Sequence, residues 1–370
     1  MSSNNDVLIK RVIELSDIIG PSYREERVIE YLVKEFRKIT DNVEVDNIGN
    51  INVVFKSKSN PDKFITLFAH SDEIGFIVKK VEKNGFLRIE RIGGVNRNIL
   101  PGTTIQFLNS GDKEVMGVIG VKSHHFMKDS EKGVIAAPES LYVDIGAFSD
   151  EDVYNNYNIR VGSVGVLYSK ARQNRELLIG KAMDDRANCA LLLCLAEEIK
   201  DLDIDFSVCI TISVQEEFNI RGILPAIERI KPYIAIGLDV TPSCDTPDLN
   251  GYSDVVLNNG VGITAMNFHG RGTLAGMIPD KKLLEHLTKI AEQNNIPYQY
   301  EVALGVLTET AFLEFAGNYG IPCASLSIPT RYTHTNIETV SINDLVNAKK
   351  LLYNFLIDIK KDNKYGKNNF

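Results

Sequence analysis

Hydrophobic positions along this chain change their spacing twice. The changes divide it into an α/β portion, a β portion and a second α/β portion. Leu8, Val12, Leu15 and Ile19 recur at helical spacing before Gly20-Pro21. Val28, Leu32, Phe36 and Ile39 predict a second amphipathic helix. Short β runs follow at 43–45 and 51–55, then a polar loop at 57–63. Residues 64–69 form a continuous apolar run, the pattern of a strand buried on both faces of an α/β sheet.

From about Ile77 short β segments alternate with turn pairs: Asn84-Gly85, Gly93-Gly94, Pro101-Gly102 and Gly111-Asp112. No helical stretch appears until about Asp150. This texture predicts a small β domain or barrel over 77–167. The α/β texture then returns, with a helix opening at Asp184 and running through the apolar stretch 187–195. Strands are predicted at 206–214, 233–240 and 324–328, and a helix at 281–291. A last helix follows Ser341, which with Asp344 resembles a capping box. The expected organisation is one α/β domain made of 1–76 and 168–359, interrupted by the β domain at 77–167. A polar, disordered tail is expected at 360–370.

Composition narrows the function classes. A length of 370 residues suits two domains, and 44% hydrophobic with 24% charged residues describes an ordinary soluble globular chain. A net charge of −8 and a pI near 5.4 leave no basic face for nucleic acid. No apolar run is long enough to cross a bilayer, and the start MSSNNDVLIKR lacks the order of a signal peptide. The cytosol is the default expectation. The cysteines Cys189, Cys194, Cys209, Cys244 and Cys323 contain no CxxC pair. Cys189, Cys194 and Cys209 lie in apolar stretches and read as core residues, whereas Cys244, in TPSCDTP, could face a cleft.

The candidate chemistry sits where buried runs end. The run at 64–69 delivers His70, with Asp72 and Glu73 behind it; 206–214 delivers Gln215, Glu216 and Glu217. The run ending at Leu238 delivers Asp239, and 324–328 leads to Arg331 and His334. Asp184 and Asp185 open a helix, where the dipole favours anions. In α/β sheets ligands bind at strand ends. Singly these signals are weak; His124, His269 and His286 read as surface or satisfied core histidines. Together, acids on separate strand ends would be costly to bury without a cation.

Imidazole plus carboxylate suits Zn²⁺, Co²⁺ or Mn²⁺ better than Ca²⁺. The inventory fits a pair of ions: Asp184 as bridge, His70 and Asp239 on one ion, Glu217 and His334 on the other. Two divalent ions carry four positive charges against three from these carboxylates, and a bridging hydroxide would both balance the remainder and serve as nucleophile. Glu216, beside a ligand but not needed as one, is the natural general base. Asp72 is placed to orient the His70 imidazole.

These stretches resemble the glutamyl-aminopeptidase or tetrahedral-aminopeptidase family of co-catalytic dinuclear metallopeptidases. The likeness is carried by GPSYREERV, FAHSDEIGF around His70, GKAMDDRANCA around Asp184 and VQEEFNIRG around Glu216. It continues through LDVTPSCDTPD and SIPTRYTHTNIE around His334, with weaker likeness such as VDIGA between, so it covers nearly the whole chain. The resemblance implies the same ligand positions, His70, Asp184, Glu217, Asp239 and His334, with Glu216 as base. It also implies a phosphorylase/hydrolase-like three-layer α/β/α catalytic domain, an inserted PDZ-like β-barrel that dimerises, and dodecamers built from dimers. Peptides are the implied substrates, with Zn or Co, or else Mn, as the metals.

The chain departs from the family pattern at Asn188 and Asn219, where glycine is usual. Asn tolerates positive φ, so the backbone is expected to survive there. In LGVLTETAF, Glu309 replaces an aspartate and glycines are fewer, which puts substrate specificity in question. Arg331 could meet an acidic group of the substrate, or could form a structural ion pair. A glycoside hydrolase using paired carboxylates and a non-catalytic assembly protein are the other classes considered. Neither needs two histidines at strand ends.

Overall fold

The computed structural model describes residues 2–134, 140–270, 276–317 and 319–367. The first α/β segment contains α1 (Ser2–Asp17), α2 (Glu26–Phe36), β1 (Val43–Val45), β2 (Ile51–Phe55) and β3 (Phe64–His70). Leu8, Val12 and Leu15 of α1, and Val28, Leu32 and Phe36 of α2, are buried as their spacing requires.

The middle segment closes on itself. Strands β4 (Gly75–Val81), β5 (Leu87–Ile92), β6 (Thr104–Leu108), β7 (Glu114–Ile119), β8 (Val143–Asp144) and β9 (Val164–Leu167) form a closed barrel in the order β4-β5-β8-β7-β6-β9. A helical turn, α3 (Asp150–Asp152), precedes β9. The barrel has its own core, built on Phe76, Val78, Leu87, Phe107, Ile119 and Val143.

The chain then returns to the first sheet through β10 (Arg172–Asn174), β11 (Leu177–Gly180), α4 (Met183–Ile199), β12 (Ser207–Ser213), α5 (Ile223–Ile230) and β13 (Ile234–Pro242). It continues with β14 (Val261–Phe268), β15 (Gly276–Met277), α6 (Lys281–Gln293), β16 (Tyr298–Leu304) and α7 (Thr310–Leu313). The last elements are β17 (Cys323–Arg331), β18 (Glu338–Ser341) and α8 (Ile342–Asp358). The main path of this twelve-stranded sheet is β1-β2-β12-β3-β13-β17-β18-β11-β10, with β14, β15 and β16 branching from β17.

Alternation along the central strands sorts the two faces. Ile65, Leu67, Ile210, Ile234, Ile236, Leu326 and Ile328 point into the large core with the apolar residues of α1, α2, α4, α6 and α8. Phe68, Ala235 and Cys323 point the other way, onto Ile223 and Ile227 of α5 and Ala311 and Leu313 of α7. The result is the expected α/β/α sandwich with a β-barrel inserted. No helix among the described residues is long and apolar enough to cross a membrane.

Three expectations need correction. The tail is docked over its described part: Tyr365 is 3% exposed, and its hydroxyl lies 2.6 Å from His286 Nδ1. One buried aromatic outweighs its polar neighbours. Ser341 caps α8, accepting the Asn343 N–H at 3.2 Å, but Asp344 does not complete a capping box. Its carboxylate accepts instead from the Asn258 and Gly260 N–H groups. Asn188 lies inside α4, so its backbone never needed positive φ; Asn219 does adopt it, at 70°.

Candidate metal centre

Strand order brings the polar ends together. β12 and β13 both run parallel to β3, and Ser213 pairs in register with His70. The β3–β13 ladder ends at the pair Phe68–Gly237, so His70 and Asp239 stand equally far beyond it, on the face defined by Phe68 and Ala235. The turn leaving β12 carries Glu216 and Glu217, and the loop leaving β17 carries His334.

That turn is bent sharply, with Gln215, Asn219 and Ile220 at φ of 58°, 70° and 52°. A β-branched residue in this region is strained, a feature that clusters at functional sites. Asp184 and Asp185 have non-helical dihedrals, so regular helix begins after them, and the peptide bond joining them is cis.

Asp184 stands between two histidines. Its Oδ1 lies 3.1 Å from His70 Nε2, and its Oδ2 lies 3.5 Å from His334 Nε2. Glu217 Oε1 is 3.2 Å from the same His334 nitrogen. Two groups follow, His70–Asp184–Asp239 and Asp184–Glu217–His334, each offering ligand atoms within 4.8 Å of one another. Asp184 belongs to both. Glu216 belongs to neither, and its carboxylate comes within 4.0 Å of His70 Nε2.

The electrostatics are those of carboxylates crowded beside two histidines. Burial, then repulsion from neighbouring carboxylates, holds Asp239 and Glu216 well above the usual carboxylate range. Glu217 is raised mainly by burial, against the pull of His334. Burial works to lower both histidines, yet their carboxylate partners prevail and raise them well above the ordinary value. Of the candidate ligand carboxylates only Asp184 is depressed, because bonds to His334 and His70 outweigh its burial. Nitrogen and oxygen donors converge here with more carboxylates than histidines, so the residues fit divalent cations of the zinc type.

A surrounding shell fixes these side chains. His70 Nδ1 faces the Asp72 carbonyl at 3.2 Å and its Oδ1 at 3.4 Å. The Asp72 carboxylate also accepts from the Glu216 N–H at 2.9 Å, the Glu217 N–H at 3.1 Å and the Ser22 hydroxyl at 2.5 Å. Glu338 accepts from the His334 and Asp184 N–H groups at 2.7 and 3.1 Å. Cys189, read as a core residue, donates its Sγ–H to the His70 carbonyl. The barrel contributes Gly94: a Cβ there would fall 2.6 Å from His334 Nδ1, too close for any side chain.

Glu216, Glu217, Asp184, Asp239 and His334 line one cavity of about 650 Å³, within the range of small-ligand sites. His269, read as a surface or satisfied core histidine, also lines it. Gly305, Val306 and Leu307 of the altered segment lie on its wall, but Glu309 does not. Glu309 is buried against Ser213 and the Ile223 N–H. Arg331 is also outside the lining; its guanidinium makes bonds of 2.8 and 2.6 Å with Asp245, so the ion-pair alternative describes it. Cys244 is buried outside the cavity. The roles of Ser22 and Cys189, and of Glu338 toward Asp184, left no local signal, since each acts on residues distant in sequence.

Comparison with known proteins decides the family. The profile of the M42 glutamyl aminopeptidases matches residues 49–351. This chain belongs to that family. SgcX of Escherichia coli (strain K12), whose aminopeptidase assignment is provisional, is 45% identical over 333 residues, covering 90% of this chain and 88% of its own. Aminopeptidase APDkam598 of Desulfurococcus kamchatkensis superposes with a TM-score of 0.89 at 29% identity, over 96% of each chain. The Pyrococcus horikoshii TET1 peptidase, which can assemble into a tetrahedron or a large octahedral shell, gives a TM-score of 0.84 at 26% identity, over 95% of this chain and 100% of its own. The M42 chain described here is therefore a peptidase, of a family of metallopeptidases.

Proposed function

We propose that this M42 protein is a dinuclear metallo-aminopeptidase that removes N-terminal residues from peptides. The observation that carries the reading is Asp184, whose two oxygens face His70 and His334 separately. In this reading His70 and Asp239 hold one ion, Glu217 and His334 the other, and Asp184 both. Bound there, a pair of Zn²⁺, Co²⁺ or Mn²⁺ ions supplies Lewis acidity, lowering the pKa of a water and polarising the scissile carbonyl.

The remaining work falls to the chain. Glu216 takes the proton of the attacking water and delivers it to the leaving amine, a use suited to a carboxylate held above its usual range by burial. Asp72, holding the N–H groups of Glu216 and Glu217, fixes the base and its neighbouring ligand as one unit. Glu338 does the same for Asp184 and His334.

The barrel, taken as residues 77–167, is proposed as a dimerisation domain. Assembly of dimers into a dodecamer is supported by the tetrahedral TET1 relative, and a cytoplasmic setting agrees with the unpaired cysteines. The mechanism is tested with Glu216→Gln, assayed on aminoacyl anilides after metal loading. A loss of at least about a hundredfold in kcat is expected, with metal content unchanged. Wild-type turnover by this variant would refute the role of Glu216.

A further inference from the structure

We propose that the cavity selects peptides whose N-terminal side chain is uncharged and aliphatic. The inference rests on the aminopeptidase reading and adds its substrate class. The candidate ligands and Glu216 are committed to the scissile bond and the terminal amine. Apart from Gly94 and Gly305, what remains of the lining for a side chain is the apolar set Ile220, Val240, Pro242, Val306 and Leu307, with Asn219, His269 and Thr333 beside them. Among the described residues no lysine or arginine lines the cavity, and no carboxylate does so outside the candidate ligands and Glu216.

Among the described residues, three charged groups close to the lining in sequence are engaged elsewhere. Arg331 is held by two bonds to Asp245. Glu309, a candidate substrate-pocket residue from its altered segment, instead bonds Ser213 and the Ile223 N–H. Arg221 lies over the Phe218 ring and is absent from the lining. A lysine side chain entering between these walls would lose hydration and meet no carboxylate outside the candidate ligands and Glu216, and a glutamate would meet no lysine or arginine among the described residues. A leucine or methionine side chain would bury apolar surface against five apolar partners. The wall at 304–307 is also where this chain departs from the glycine-rich pattern of its family.

The test uses the metal-loaded full-length protein and a panel of leucyl, methionyl, alanyl, glutamyl and lysyl p-nitroanilides. The leucyl and methionyl substrates are expected to exceed the glutamyl and lysyl ones in kcat/KM by at least about thirtyfold. Titration calorimetry with free L-leucine, L-glutamate and L-lysine, the corresponding products, is expected to give the same order. Val306→Arg is expected to raise the glutamyl-to-leucyl ratio by about tenfold or more. A preference for glutamyl or lysyl substrates in the unaltered protein overturns the inference while leaving the aminopeptidase reading intact. An unchanged ratio in a folded Val306→Arg variant also overturns it. Absence of hydrolysis of every substrate overturns both.

Discussion

Glu309 reaches Ser213 across the sheet edge, and its carboxylate accepts a hydrogen bond from that hydroxyl. Its other oxygen accepts from the Ile223 N–H at 3.2 Å. Ser213 ends β12 and Ile223 opens α5, so one buried carboxylate grips both ends of the turn that carries Glu216 and Glu217. Glu309→Ala is therefore expected to lower kcat by about ten- to a hundredfold through misplacement of the base. It should also cost about 1–3 kcal/mol of stability, because two buried donors lose their acceptor. Steady-state kinetics and urea unfolding measure both; an unchanged kcat would show that the clamp is dispensable.

Asp72 secures the same turn from the opposite side. Three donors, the N–H groups of Glu216 and Glu217 and the Ser22 hydroxyl, share its two oxygens. Asparagine offers one oxygen, and its amide hydrogens would confront a donor. Asp72→Asn is expected to destabilise the fold by about 1–3 kcal/mol and to reduce kcat more than KM changes. Ser22→Ala, which removes one donor and no acceptor, should be milder in both measurements. Equal effects from the two variants would contradict this assignment.

Asp344 gives a pH-dependent expectation away from the cavity. Burial pushes its carboxyl up to about 6, against the bonds it accepts from Gly260 and Asn258. A folded-state value above the unfolded one means that the native protein holds the proton more tightly. The stabilisation is complete below the unfolded value near 3.8 and is lost as pH rises through about 6. Its size is at most about 3 kcal/mol. Asp344→Asn should remove this component, so between pH 4 and 7 the wild type should lose stability progressively relative to the variant. Parallel curves would argue against the shifted carboxyl.

The sequence disclosed the metal-centre candidates because each follows a strong local signal. His70, Glu216, Glu217 and Asp239 end apolar runs whose continuity marks central strands, and His334 lies a short loop beyond another. Supporting residues carried no such mark. Glu338 serves Asp184 across the sheet, and Glu309 serves Ser213 from another loop; neither connection has a spacing to read. The strands β14 and β16 carry weaker signals: VGITAMNF is buried at its start and opens to solvent at its end, and in YQYEVAL the alternation buries polar Gln299 and Glu301 and exposes Tyr300, Val302 and Leu304. Tyr365 was hidden by polar neighbours in a segment whose average composition resembled a disordered tail.

The altered segment shows how adjacent residues can part company. Gly305, Val306 and Leu307 face the cavity, whereas Glu309 faces the sheet interior. A departure from the family pattern that looked like one change therefore has two consequences. One concerns which side chain the cavity admits, the other how the catalytic turn is held.

The account stands most directly on Asp184 as a ligand shared by two ions. Metal content after equilibrium dialysis against Zn²⁺ or Co²⁺, measured by mass spectrometry, tests it. The wild-type protein should hold two ions per chain, Asp239→Ala and His334→Ala should each lose one, and Asp184→Ala should lose affinity at both sites. A single ion in the wild type, or two retained by the folded Asp184→Ala variant, would contradict the shared centre.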